Sequence, residues 1–400
     1  MHILMIAPEP FFEPRGTPFS EYHRIRALIH LGHTVDLVTY PFGHDVVMPG
    51  LRVFRCLRPP FISSVGIGPS LAKVPLDLSL AASALRRVLG TRYDVVHSHE
   101  EGAAIGLVLA AMLGVPHLYD MHSSLPQQLA NFKFSRSRVL RWGFEVFERL
   151  AVRRSRVVIV ICAELERQVR EIAPHAVPVL IENAPGAGDV SHDGGRDAVR
   201  AEFGLGPTTP LVLYTGTFEA YQGLDLLFDA ACAVRAARPD VRFLLAGGRP
   251  RQIADAAADV AARGLGDSVI FAGERPADQI PHFLDAADVL VSPRSRGTNT
   301  PLKIYQYLRA GRVIVATRLL THTQVLTDDV AILTEPTTEA FATGILQAIA
   351  DPVLAAAIGR RAGELAETKY SYEAYLSRTR EAVTRLTGPV VTQPAPGGVV

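Results

Sequence analysis

The chain has 400 residues, 48% of them hydrophobic and 20% charged, with a formal net charge of +1. That is enough apolar material for two or three domain cores, and the near-neutral charge without a long basic block speaks against bulk nucleic-acid binding. Cys56, Cys162 and Cys232 are odd in number and far apart, which argues for a reducing compartment and against a disulfide framework. The start, MHILMIAP, is too short for a signal-peptide core and turns at once into Pro8-Glu9-Pro10. The longest apolar stretch, 103–115, falls short of the roughly 20 residues of a membrane span. The expectation is a soluble, cytoplasmic protein.

The first half alternates apolar strands, over 2–7, 35–39, 53–55, 95–97, 117–119, 157–162 and 179–182, with helices over 18–31, 81–89 and 103–113. Strands apolar throughout imply parallel sheets covered on both faces, whose ligands gather beyond the strand C-termini. Three polar clusters fall there. The loop Pro14-Arg15-Gly16-Thr17 reads either as a plain turn and helix start or as a ligand contact. His97, His99 and Glu100 have a metal-like spacing but no identifiable third ligand or outer shell, so polar residues closing a strand are the preferred reading. His122, directly after a buried strand and before Ser123-Ser124, is the better candidate for chemistry.

The segment 135–156 is helical and arginine-rich, with Val139, Leu140, Trp142, Phe144, Val146, Phe147 and Leu150 interleaved. Such a helix can lie on an anionic membrane surface. Glu145 and Glu148 interrupt its basic character, and most of the apolar set would serve as a core face, so a solvated helix is expected. Peripheral membrane contact is the alternative.

Residues 186–208 are Gly- and Asp-rich without apolar periodicity and read as a linker. The boundaries that follow are an N-terminal domain over 1–185, a second domain over 209–370, a helix over 371–387 and a disordered tail over 388–400. In the second domain, Gly216 after the strand at 211–214, Gly223 at the next helix start, and Gly247-Gly248-Arg249 after the strand at 243–246 place glycine loops at strand ends. Several such loops in one domain point to a nucleotide or phosphate ligand.

The stretch 288–317, DVLVSPRSRGTNTPLKIYQYLRAGRVIVAT, reads as strand, loop, short helix, strand. Thr300 is placed to cap the helix, Pro301 suits its first turn and Gly311 its end. The helix start follows a loop carrying Arg294, Arg296 and Asn299, and Lys303 lies in the first turn. Amides and dipole make such a start an anion site. Lysine occurs only at 73, 133, 303 and 369, so its presence at this site is not background.

The motifs YTGTFEAYQGLDLL, FLLAGG, VIFAGERPADQIPHFLDAADVLVSPRS and YLRAGRVIVAT, in that order, resemble the retaining glycosyltransferases of family 4, of GT-B fold. MHILMIAPEP, LIHLGHTVDLVT, YDVVHSHE and LYDMHSS extend the resemblance over nearly the whole chain. It implies an α/β protein with two Rossmann-like doubly wound domains facing across a cleft, the nucleotide sugar mainly on the second, the acceptor on the first. The last helix would cross back to the first domain. It implies that His122 touches the donor sugar near the reacting carbon and that Gly16 approaches sugar and phosphates. Gly216, Thr217, Gln222, Gly247 and Arg249 would form the diphosphate side, with Arg294, Asn299 and Thr300 opposite. The base would lie near Arg275, and Gln306 would hold the ribose. Arg15, Thr17, His99 and Glu100 fall on the acceptor side.

The chain departs from the family at charged positions. Thr217 and Gln222 stand where arginine and lysine are usual, and Thr298 and Gln306 replace the paired glutamates. Lys303, with Arg294, Arg296 or Arg249, would restore the lost charge. The implied activity is transfer of a hexose from a UDP- or GDP-sugar to a hydroxyl acceptor with retention, in polysaccharide or glycolipid assembly. His122 and Lys303 would be the catalytic pair, with no metal or other cofactor. Two other readings stay open: a catalytically silent GT-B subunit that binds a sugar nucleotide or a partner, and a sugar-nucleotide epimerase.

Overall fold

The computed structural model describes residues 1–12, 16–66, 70–126, 137–174, 176, 178–182 and 195–388. The chain divides into two units, Met1–Asn183 with Tyr375–Val400, and Ala184–Ala374.

The first unit runs β1 (His2–Ala7), α1 (Gly16–His30), β2 (Thr34–Thr39), β3 (Leu51–Arg55), α2 (Lys73–Gly90), β4 (Val95–His99), α3 (Ala103–Leu113), β5 (His117–Met121), α4 (Arg138–Arg154), β6 (Val157–Val160), α5 (Ala163–Ile172) and β7 (Val179–Leu180). Its seven strands pair in parallel in the order β3-β2-β1-β4-β5-β6-β7. Strand order reverses between β1 and β4, so their C-terminal ends flank the crevice where doubly wound sheets take ligands. β4 and β5 extend past the expected ends, to His99 and Met121, so His97, His99 and Asp120 lie within the strands and His122 directly follows β5. Conversely β6 stops at Val160, because Cys162 already occupies the cap position of α5.

The second unit runs α6 (Gly195–Glu202), β8 (Leu211–Thr215), α7 (Leu224–Ala237), β9 (Arg242–Ala246), α8 (Pro250–Ala262), β10 (Val269–Gly273), α9 (Ile280–Ala286), β11 (Val289–Ser292), α10 (Leu302–Ala310), β12 (Val313–Thr317), α11 (Leu320–Thr323), β13 (Ile332–Thr334), α12 (Thr338–Ala350) and α13 (Pro352–Lys369). Six parallel strands are ordered β10-β9-β8-β11-β12-β13, reversing between β8 and β11. Leu213, Leu244, Leu290 and Ile314 fill one face of this sheet, and Val212, Phe243, Val291 and Val315 the other. Two covered faces are why these strands read as unbroken apolar runs.

The expected linker is shorter than 186–208, because α6 lies inside it. That helix packs on α9, where a Cβ at Gly195 would stand 2.0 Å from His282 Nδ1. Val199 enters the core, and the buried Arg200 bonds Ala286 O at 3.1 Å and Asp288 at 2.9 Å.

The final helix, α14 (Tyr372–Thr387), belongs from Tyr375 onward to the first unit. There Tyr375 stacks under Arg24 at 5.0 Å, Thr379 accepts from Arg24 Nη1 at 3.4 Å, and Arg378 pairs with Glu182. The expected tail beyond Gly388 lies outside the described residues.

Candidate active site

In the second unit, the loops after β8, β9 and β11 meet backbone to backbone. Gly247 has φ +126°, and a Cβ there would stand 2.0 Å from Gly216 O. A Cβ at Gly223, φ +75°, would stand 2.0 Å from Pro293 O. Only glycine permits both the dihedral and the approach.

Beside this junction, Lys303 projects from the first turn of α10. It is 7% exposed, and its Nζ lies 3.9 Å from the Tyr214 ring centroid without a hydrogen-bond partner. Gly216 is its neighbour, since a Cβ there would lie 3.5 Å from Nζ. Burial, with Arg294 adding to it, pushes the Lys303 ammonium well below its usual range. Arg294 is lowered by burial too, stacks at 5.0 Å on Tyr221, and donates through Nη1 to Asn299 O at 2.8 Å and Thr321 Oγ1 at 3.0 Å. Its Nε is left without a partner, as are Gln222 Oε1 and Thr300 Oγ1. Gln222 Nε2 reaches Thr217 Oγ1 at 3.5 Å. Unpaired buried cations and dipoles cost stability, so each of these groups calls for an explanation.

Several expectations change here. Thr300 does not cap α10. Pro301 takes that position in extended conformation (φ −64°, ψ 137°) without a side-chain cap bond, and Thr300 is the buried residue before it. Arg249 is engaged by Glu219 Oε1 at 2.7 Å and forms a capping box with Gln252 at the start of α8. Arg275 bonds Glu202 at 2.6 Å and lies 5.5 Å over Phe203 and 5.3 Å over Phe283, clamping α6. Of the expected arginines, Arg294 alone joins Lys303. Gln306, half-buried, follows Lys303 by one turn of the same helix.

In the first unit, β4 and β5 bring His97, His99, Asp120 and His122 together. The His97 and His99 rings stack at 4.8 Å, those of His99 and His122 at 5.3 Å, and His99 Nδ1 lies 3.1 Å from His122 Nε2. Asp120 anchors the group: Oδ2 accepts from Arg24 Nε at 2.8 Å and lies 3.5 Å from His97 Nε2, and Oδ1 lies 3.4 Å from His122 Nε2. Burial opposes ionisation of Asp120, but the Arg24 guanidinium beside it overrides burial and holds its carboxyl well below the usual range. Burial pushes His99 and His122 down, against the pull of Asp120, so the stack is neutral at pH 7.

The ligand atoms of His97, His99 and Asp120 lie within 4.8 Å of one another, a donor set that fits a metal. The permanent charge of Arg24 on Asp120 opposes a cation there.

Glu100 has φ +46°, a conformation non-glycine residues rarely adopt, and accepts from Ser123 Oγ at 3.1 Å. Burial first, then Glu101, pushes its carboxyl well above the usual range. Glu100 and Glu148, which holds Leu125 N at 2.8 Å, position the loop that carries His122. Gly16 opens α1 at φ +55°, and Thr17 follows half-buried. Arg15 lies outside the described residues.

The sequence reading missed the partners from α1. Arg24 and Glu21 are fully buried, and burial pushes Glu21 up to about 8. The signal was there: Glu21 and Ile25, and Arg24 and Leu28, are spaced i, i+4, which puts both charges on the apolar face of α1.

The family described as "Glycosyl transferase 4-like domain" matches residues 22–184, and "Glycosyl transferases group 1" matches residues 209–351. An alpha-D-kanosaminyltransferase of Streptomyces kanamyceticus is 27% identical over 303 residues, 72% of this chain and 76% of that protein. Sucrose-phosphate synthase from Thermosynechococcus elongatus superposes with a TM-score of 0.78 at 21% identity, covering 96% of this chain and 98% of the other. Anabaena HepE in complex with UDP-glucose superposes with a TM-score of 0.74 at 17% identity, covering 96% and 99%. With one matched domain in each Rossmann-like unit and curated glycosyltransferases matching along much of the chain, this protein is a glycosyltransferase of the GT-B type.

Proposed function

We propose that the chain transfers a hexose from a UDP- or GDP-sugar to a hydroxyl of a saccharide or lipid-linked acceptor, with retention, in cytoplasmic polysaccharide or glycolipid assembly. The observation that carries this reading is Lys303: a buried amine with no hydrogen-bond partner beside the Gly216 loop. A diphosphate seated there would favour its charged form. Lys303 and Arg294 then supply the charge that Thr217 and Gln222 lack, and a charge-assisted contact is roughly twice as strong as a neutral one. Gln306 can hold a ribose diol as donor and acceptor.

In the reaction the bond from the anomeric carbon to the phosphate oxygen breaks, and one to the acceptor hydroxyl forms on the same face. A phosphate oxygen takes the hydroxyl proton. Lys303 stabilises the diphosphate charge as it develops. The neutral His122, oriented by Asp120 and His99, orients the sugar and tolerates positive character at its reacting carbon. Nothing in this scheme requires a metal, so activity should survive chelator. HepE, crystallised with UDP-glucose, supports a uridine nucleotide as the first donor to test.

Calorimetric titration with UDP and GDP is the test. Micromolar binding of one nucleotide, weakened in Lys303→Ala by about 1.5–3 kcal/mol as for a lost charged contact, is the expected result. Binding of neither would turn the reading to a silent subunit. The anomeric configuration of the product, read by NMR, decides retention.

A further inference from the structure

Among the described residues, the exposed large hydrophobic side chains are unevenly shared: Leu320 and Val353 lie in the second unit, and all the others in the first. Most sit on three neighbouring helices, with α3 packed against both α2 and α4. On α2, Leu76, Leu80 and Ala84 face the core, while Val74, Leu78, Leu85 and Leu89 form a second stripe pointing away from it. On α3, Val108 and Met112, each 59% exposed, do the same. On α4, Ala151 and Val152 are buried, and Val139, Trp142, Val146 and Leu150 lie at i, i+3, i+7 and i+11 on the opposite side, Val139 at 75% and Trp142 at 64% exposure. Of the apolar set expected to serve as a core face, Phe147 packs against the core, whereas Val139, Leu140, Trp142, Val146 and Leu150 face outward.

We infer that the outer face of α2, α3 and α4 docks on an anionic lipid surface. Scattered exposed leucines need no explanation, but aligned stripes on adjoining helices do. Charge selects the occupant. Arg138, Arg149 and Arg153 flank the α4 stripe on one side and Arg154 on the other. Glu145 is paired with Arg141 at 3.0 Å and Glu148 is buried, so the outward charge of α4 belongs to arginine. Apolar side chains between arginines suit the interface of an anionic bilayer, where the stripe enters the acyl boundary and the guanidinium groups stay at the headgroups. A second copy of the chain fits poorly, because two-fold pairing sets the same arginines against each other. Among the described residues no single helix is long and apolar enough to cross a membrane, which suits lying on the surface. This inference does not depend on the donor chemistry proposed above.

Trp142 is the chain's single tryptophan, so its fluorescence reports on this face alone. Phosphatidylcholine vesicles with phosphatidylglycerol should shift its emission to the blue and shield it from iodide, whereas pure phosphatidylcholine vesicles should bind at least tenfold more weakly. High salt should release the protein. Arg149→Glu with Arg153→Glu should weaken vesicle binding by more than tenfold, at about fivefold per lost arginine. Val146→Glu should abolish the shift, and Lys303→Ala should bind vesicles as the wild type does. Unchanged emission at saturating anionic lipid would overturn the inference, and so would equal binding to neutral vesicles. A concentration-dependent dimer whose Trp142 is already blue-shifted without lipid would assign the face to a second copy instead.

Discussion

At the scale of the residue, Lys303 makes the sharpest demand. Its ammonium has no counter-ion among the described residues, and burial with Arg294 nearby holds its pKa well below 10.5. In the unfolded chain a lysine keeps its proton up to about 10.4. Between the folded pKa and that value the unfolded state binds more protons, so Lys303 makes stability rise with pH through that window. Nucleotide binding runs the other way. A diphosphate favours the charged amine, so the complex takes up a proton, and affinity falls as pH rises through the ligand-free pKa. Calorimetry in two buffers of different ionisation enthalpy should show that uptake, and Lys303→Met should abolish it. A binding enthalpy independent of buffer in the wild type would mean the amine is already charged, and that its burial has been compensated.

At the scale of the element, the glycine loops after β8 and β9 are a single construction. Gly247→Ala forces a side chain against Gly216 O at a dihedral few residues adopt. It should cost more than about 1 kcal/mol of stability and lower nucleotide affinity at least tenfold, as measured by denaturant melts and titration. Gly264 gives the comparison: it also has a positive φ, but no atom lies within 4 Å of its missing Cβ. Gly264→Ala should carry the conformational cost and leave affinity unchanged; equal losses of affinity in both variants would sink the loop argument. Most strands were legible in the sequence because both sheet faces are covered and their residues are apolar. The three-residue β13 was not, and the ends of β4 and β5 were read short because His99 and Asp120 are polar. Their burial depends on Arg24, a partner from a distant helix that no local pattern names. Helix α6 was hidden because Arg200, bonded to carbonyls and Asp288, takes a buried position that an apolar residue would have marked. Arg249 was read as a ligand contact from its place beside a glycine loop and Arg275 from the family resemblance, and the structure pairs them with Glu219 and Glu202.

At the scale of the whole molecule, the chain leaves its first unit near residue 183, builds the second, and returns from Tyr375 to finish the first. That last helix bears directly on the candidate chemistry. Tyr375 and Thr379 contact Arg24, Arg24 holds Asp120, and Asp120 holds the histidine stack that carries His122. Breaking a buried ion pair costs about 3–5 kcal/mol because a charge is left without its partner, so anything that lets water or disorder reach Arg24 should act far beyond its own contacts. A chain ending at Ser371 keeps every described strand of both sheets and loses α14 whole: the cover on Arg24, the Arg378–Glu182 pair, and the buried Leu376, Ala382 and Leu386. Calorimetry of the truncated chain should show the transition of the first unit lowered, while that of the second, with its nucleotide-induced stabilisation, stays in place. Transfer activity should fall although UDP or GDP still binds. If both transitions dropped together, the two units would be one cooperative system. If neither moved, Arg24 and Asp120 would need no cover from α14, and His122 would owe its orientation to β4 and β5 alone.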